Sequence, residues 1–229
     1  MGRHVLEGNP PIEVTLRRSA QARRLSLRVS RLDGRVTLTL PPQVPDREAV
    51  AFARSREEWL RKHLAGVGDE VRPLIGGTVP YRGADVPVIA AAVRRATMRD
   101  GALLVPPDPV RAPARMHGFL KLEARDSLAA ASDRYAAALG RSYGKISLRD
   151  TRSRWGSCTS AGDLMYSWRL IMAPPAVLDY VAAHEVAHLV EMNHSAAFWA
   201  VVARIYPDHA RCRAWLRREG DRLHRVRFD

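Results

Sequence analysis

The stretch PPAVLDYVAAHEVAHLVEMNH, residues 174–194, limits what this chain can fold into more than any other. Proline is tolerated in the first turn of a helix, so Pro174-Pro175 opens one, and the pattern predicts that it runs to about Glu191. Val181, Ala182, Val186, Ala187, Leu189 and Val190 make it apolar on nearly every side. Such a helix belongs in the interior. Yet it carries His184, Glu185 and His188, and burying two imidazoles and a carboxylate without compensation is costly.

A metal ion supplies that compensation. His184 and His188 are one helical turn apart and face the same way, so both rings can reach a single Zn²⁺. Glu185 is rotated from His184 by about 100°. It therefore misses direct coordination but lies within reach of a water activated by the ion, where a general base belongs. His194 follows His188 by six residues. On a continuous helix it would sit about 9 Å further along, on the wrong face. The chain must turn back first. Met192-Asn193 is the expected turn, because Asn tolerates the left-handed conformation, and Ser195 is expected to cap the next helix. The spacing matches that of metzincin proteases, in which a glycine stands where Glu191 stands here. No Met follows to form the Met-turn of that clan, so the chain is not assigned to it.

The remaining sequence reads as an α+β protein, strand-rich at the N-terminal end and helical after it. Its 229 residues suffice for one good-sized domain or two small ones. IEVTLRRS, RLSLRVS and RVTLTL alternate apolar and polar residues within 12–40, with an Asp-Gly turn in LDGR at Asp33-Gly34. Asp46 is expected to cap a helix through Leu64, with Val50, Ala53, Trp59 and Leu60 among its apolar positions. Short strands follow between Val71 and Val105. Prolines 106, 107, 109 and 113 mark a boundary, giving a basic strand-rich part at 12–108 and a second part at 109–226. The second part starts with a long helix near Arg115–Leu139, stopped by Gly140. GKISLRD is a strand, and TRSRWGSCTSAGDLMYSW a hairpin with its turn at Ser160–Asp163. SAAFWAVVARIY and a segment near Asp208–Glu219 complete the helices, before an Arg-rich tail.

Composition excludes several classes. Cys158 and Cys212 are far apart and form no CxxC pair, so a disulfide framework is not expected and both thiols are read as structural. The N-terminus lacks the apolar core of a signal peptide, and no apolar run approaches a membrane span. A cytoplasmic protein without membrane association is expected. Of 37 basic residues three are lysine, leaving 34 arginines, and the net charge is +13. GC-rich coding produces such a ratio, so the arginines alone do not argue for arginine-specific recognition. The charge does predict attraction to polyanions at low salt, which keeps nucleotide or nucleic acid open as a partner.

SRWGSC and WRLIMAPPAVLDYVAAHEVAHLVEMNHSAAFW, with the basic strand-rich front, resemble the YgjP-like metallopeptidase family, which is related to the SprT-like proteins. The resemblance covers about residues 12–220 and is most specific between Ser153 and Trp199. It implies a zinc-dependent hydrolase of minimal gluzincin type: a small sheet packed against helices, with the His-Glu-x-x-His helix at a cleft, so that 109–226 would be a zincin-like catalytic part. It assigns His184, His188 and His194 to Zn²⁺ and Glu185 to catalysis. The Cys₄ zinc ribbon often found in the SprT branch is missing, so a DNA-repair role does not carry over. Some YgjP-like proteins are described as nucleotide pyrophosphatases, which keeps phosphate chemistry open.

Just upstream, Arg152, Arg154 and Trp155 are candidate substrate-binding residues. In zinc peptidases the strand before this helix often lines the cleft and pairs with extended substrate, and an arginine there suits a carboxylate, a phosphate or a developing oxyanion. Cys158 is read as a packed thiol rather than a fourth ligand, because a catalytic site keeps one position open. Phe198 and Trp199 are expected in the core, holding His194 in place. Tyr206 is a weaker candidate for a transition-state hydrogen bond. His4, His63, His117, His209 and His224 are read as ordinary histidines.

Three functions compete. The first is a zinc metallopeptidase acting on peptide or protein with Glu185 as general base. The second is a metal-dependent nucleoside triphosphate pyrophosphatase of UTP type, against which stand the missing P-loop and the missing carboxylate cluster for Mg²⁺. The third is a basic nucleic-acid-binding protein whose metal is structural. Three histidines with one adjacent glutamate favour the open catalytic site.

Overall fold

The computed structural model describes residues 2–30, 33–66 and 68–229. Its contacts divide the chain into two compact units, Met1–Glu70 and Val71–Asp229. The fold class is α+β with a strand-rich N-terminal part, as the periodicities predict.

In the first unit, strands β1 (Gly2–Leu6), β2 (Ile12–Arg18), β3 (Ser26–Val29) and β4 (Val36–Leu40) form one sheet in the order β1-β2-β4-β3. β2 and β4 run parallel, and the outer pairs are antiparallel. Period-two alternation turns Ile12, Val14 and Leu16 to the same buried layer as Val36, Leu38 and Leu40. The three expected strands are present. β1 was not expected: it is an edge strand in which Leu6 alone is buried, so it carries little apolar alternation. Gly34 takes the turn conformation at φ 68, and Ser30 N–H bonds the Arg35 carbonyl across it. Leu32 of the expected LDGR turn lies outside the described residues.

The single helix expected from Asp46 to Leu64 is two helices, α1 (Asp46–Ser55) and α2 (Glu57–Ala65). Arg56, at φ −112 and ψ 14, leaves helical geometry between them. Asp46 does not cap α1 either. Pro45 holds that position, and the Asp46 carboxylate instead accepts from the Arg18 guanidinium. Ala49, Ala53 and Leu60 close the core over the sheet, whereas Trp59 is 40% exposed and leans on His63. Helical periodicity places Trp59 and Leu60 on adjacent faces, and only one of them can point inward.

The second unit holds β5 (Thr78–Tyr81), β6 (Ala84–Ala90), β7 (Thr97–Arg99) and β8 (Ala102–Val105), in the order β5-β6-β8-β7. Val79, Val88, Leu103 and Val105 are buried in the same core as Met116 and Leu120 of the long helix α3 (Ala112–Leu139). The contacts divide the chain between Glu70 and Val71, and these strands belong to the second unit. The proline cluster marks entry to α3, with Pro113 in its first turn. Met116, Leu120, Ala124, Leu128, Ala131 and Tyr135 form one buried stripe along α3. Gly140, left-handed at φ 61, ends it, and its N–H satisfies carbonyls of the last turn.

A small sheet of β9 (Ile146–Arg149), β10 (Gly156–Cys158) and β11 (Leu164–Ser167) follows in the order β10-β11-β9, leaving β10 at an edge. The expected hairpin turn is present, closed by Thr159 N–H to Asp163 O and by Gly162 at φ 81. After a 3-10 turn at Trp168–Met172 come α4 (Pro175–Ala187), α5 (Ala196–Ile205) and α6 (His209–Arg225). α4 packs against α3, α5, α6 and β10, which is why its sequence is apolar on every side. The expected Arg-rich tail begins as the last turns of α6, which ends at Arg225, and leaves the helix from Val226 on. No helix among the described residues is long and apolar enough to cross a membrane.

Candidate metal centre

α4 ends sooner than its apolar pattern predicts. Its last helical residue is Ala187, and His188 occupies the C-terminal cap at φ −65 and ψ −16. Turns then carry the chain on: Leu189 N–H bonds Val186 O, and both Val190 and Glu191 N–H bond Ala187 O. The reversal does not use a left-handed Asn193. Among the described residues only Arg82 and Asp100 have positive φ without being glycine. Tighter turns at the end of α4 do the bending instead, and Ser195 caps α5 by accepting from Phe198 N–H at 3.3 Å.

The outcome is that three imidazoles converge. Ring centroids of His184, His188 and His194 lie 5.2, 5.1 and 4.8 Å apart pairwise. One nitrogen from each lies within 4.8 Å of the other two, and among the described residues this is the group that could hold a metal ion. The Nε2 atoms of His184 and His194 are 3.0 Å apart. His188 Nδ1 faces the Glu191 carbonyl at 3.0 Å. A carbonyl only accepts, so Nδ1 carries the proton and Nε2 keeps a free lone pair. Burial lowers the His184 pKa to about 3, helped by His188, His194 and Arg213, and burial lowers that of His188 too. Neutral rings are what metal ligation requires.

Phe198 holds the rings in place. It is 0% exposed, stacks on His188 at 4.4 Å and meets His184 and His194 edge-on at 4.9 and 4.8 Å. Trp199 leans on His184 and His194 from outside.

Glu185 points into the same space. It is 5% exposed, and no group among the described residues donates a hydrogen bond to its carboxylate. Burial pushes its pKa up to about 8, while the Arg154 charge draws it down. Gly156 of β10 makes room for it: a β-carbon there would stand 2.6 Å from Glu185 Cγ and Oε1.

These groups open into a cavity of about 660 Å³. One wall is the segment Ser153–Cys158, the floor is α4 from Tyr180 to His188, and the far wall is Arg213, Leu216 and Arg217 of α6. Of the candidate substrate-binding residues, Arg154 and Trp155 line it. Arg152 does not: it lines a separate hollow with Asp150, Arg169 and His224. Trp155 is wedged against α6, stacked on His224 at 4.8 Å, and Gly220 leaves space for its ring. Cys158 lines the cavity, but burial, then Glu185 and Asp163, push its pKa up to about 11 and its thiol donates to the Thr159 carbonyl. Tyr206 is not at the site, because its hydroxyl is engaged with the Ala176 carbonyl at 2.8 Å. His4, His63, His117, His209 and His224 stand outside the three-histidine group.

Tyr180, Gly156 and the α6 residues lie beyond the sequence expectations. Tyr180 is one turn before His184, so the spacing that pairs His184 with His188 places it on the same face. Arg213 and Arg217 share a face of α6, but nothing local says which face meets α4.

The family model of the YgjP-like metallopeptidase domain matches residues 23–219. The chain belongs to the YgjP-like family. No curated protein and no solved structure matches it. The YgjP-like match contains the whole cavity and all three converging histidines. The family is one of metal-dependent hydrolases, and the histidine group is where such an ion could sit.

Proposed function

We propose that this YgjP-like chain is a zinc metallopeptidase in which His184, His188 and His194 hold the ion and Glu185 is the general base. The observation that carries this reading is Glu185 itself. A buried carboxylate with no donor to satisfy it is costly, and here it opens into one cavity with three converging imidazoles. The donor set fits Zn²⁺: three nitrogen ligands with no thiolate among them leave one position open, as catalytic zinc sites do.

A bound Zn²⁺ supplies Lewis acidity, polarising a carbonyl and acidifying water. Glu185 takes the proton from the attacking water and hands it to the leaving amine nitrogen. β10, an edge strand beside Glu185, offers unpaired backbone groups to an extended peptide. Arg154 stands at the mouth of the same wall, where it can bind a substrate oxygen.

The pyrophosphatase reading has less support. Glu185 is the one carboxylate lining the cavity, whereas Mg²⁺-nucleotide sites use several oxygen ligands. Metal analysis of the purified protein, with casein and UTP offered separately in the presence and absence of a chelator, tests the proposal. Zinc near one per chain and chelator-sensitive casein cleavage are expected. Hydrolysis of UTP with casein untouched would overturn it.

A further inference from the structure

The cavity walls are electrostatically one-sided. Arg154, Arg213 and Arg217 line them, against the single carboxylate of Glu185 on the floor. None of the three makes an ion pair with a carboxylate among the described residues. Their neighbours on α6 behave differently: Arg218 and Arg222 both pair with Glu219. Arg213 and Arg217 are four residues apart, so they stand one above the other, with Leu216 beside them on the same face. The Arg213 guanidinium lies 4.7 Å over the Trp199 ring, and that ring is 5.7 Å from His184. One aromatic ring therefore separates Arg213 from the metal centre. On the opposite wall Arg154 lines the same cavity as Glu185.

We infer that this cavity selects peptides with acidic side chains flanking the scissile bond, received by Arg213 and Arg217 on one side and Arg154 on the other. The inference rests on the peptidase reading above for the nature of the substrate. Three guanidinium groups around one cleft, none ion-paired among the described residues, repel a basic peptide and attract an acidic one. Each can take a carboxylate bidentately, which a lysine could not do. A peptide suits the cavity better than nucleic acid. Between the arginines the lining is apolar, from Trp155, Tyr180, Val181 and Leu216, and one face of Trp155 is already covered by His224. The volume of about 660 Å³ accommodates a few side chains.

The test uses the full zinc-loaded chain and fluorescent peptides of equal length whose residues flanking the central bond are Glu, Gln or Lys. Binding is read by anisotropy on Glu185→Gln protein, and cleavage on the unaltered protein. The Glu peptide should bind about tenfold more tightly than the Gln peptide, and the Lys peptide more weakly still. The Glu–Gln gap should close in Arg213→Gln/Arg217→Gln protein and shrink as salt rises from about 0.05 to about 0.5 M. Both arginines are exposed and glutamine is a good helix former, so the variant should fold. Should it melt early, the two single variants carry the comparison. Equal binding of Glu and Gln peptides, a gap unchanged by the arginine substitutions, or displacement of the Glu peptide by an equimolar oligothymidylate would each overturn the inference. Binding of the Glu peptide with no cleavage of any peptide overturns the peptidase reading alone, and cleavage without charge preference overturns this inference alone.

Discussion

Gly156 and Glu185 touch so closely that residue 156 can carry no side chain without moving the carboxylate: the nearest Glu185 atoms would stand 2.6 Å from a β-carbon. β10 is thereby pressed directly onto α4. Gly156→Ala must push Glu185 aside or lift the strand. A displacement of this kind lowers turnover by about a hundredfold. Zinc content should stay as it is, since none of the three histidines moves. Steady-state kinetics beside metal analysis check both halves, and an alanine variant of full activity would remove Glu185 from the chemistry.

Glu185→Gln preserves shape and removes the proton acceptor. Turnover should fall by on the order of a hundred- to ten-thousandfold. The unfolding midpoint of the metal-free protein should not drop, because a buried carboxyl without a hydrogen-bond donor gives way to a neutral amide. Thermal melts of chelator-treated samples read this directly.

Phe198 braces all three imidazoles from the core side. Phe198→Ala leaves a void among them and should cost about 3–5 kcal/mol of stability. Zinc should also bind more weakly, as measured by competition with a coloured chelator. Phe198→Leu should restore most of the stability but less of the affinity, since only a flat ring stacks on His188.

Arg169 ties the end of α6 to the body of the second unit. Its guanidinium grips Asp150 at 2.6 and 3.0 Å and donates to the Leu223 and Val226 carbonyls at 2.7 and 2.8 Å. Arg169→Met removes these bonds and leaves buried carbonyls short of a donor, which should lower stability by about 2–4 kcal/mol in urea unfolding.

His224 introduces a pH dependence away from the metal centre. Burial lowers its pKa from 6.5 to about 4, with Arg169 and Arg152 adding to the shift and Asp150 and Asp221 opposing it. The unfolded chain therefore takes up a proton that the folded chain refuses between about 6.5 and about 4. Stability is present above that window and lost as pH falls through it. In His224→Gln protein this loss should be smaller, on top of a constant penalty for the lost stacking on Trp155. Chemical denaturation at pH 7 and pH 5 separates the two effects.

Properties set by neighbours along the chain were legible in the sequence. The alternation in β2 and β4, the stop at Gly140, the Ser195 cap and the four-residue step from His184 to His188 each depend on geometry within one or two turns. So does the exclusion of Glu185 from the face shared by the two histidines. What depends on contacts between distant segments was not legible. The kink at Arg56, the end of α4 at Ala187, the turning of Arg152 away from the cavity and the face that α6 offers to α4 are chosen by packing. The fit of Gly156 over Glu185 is of the same kind, joining residues 29 positions apart. Periodicity tells which residues share a face, but only the competition of all such faces for one interior decides what each face meets.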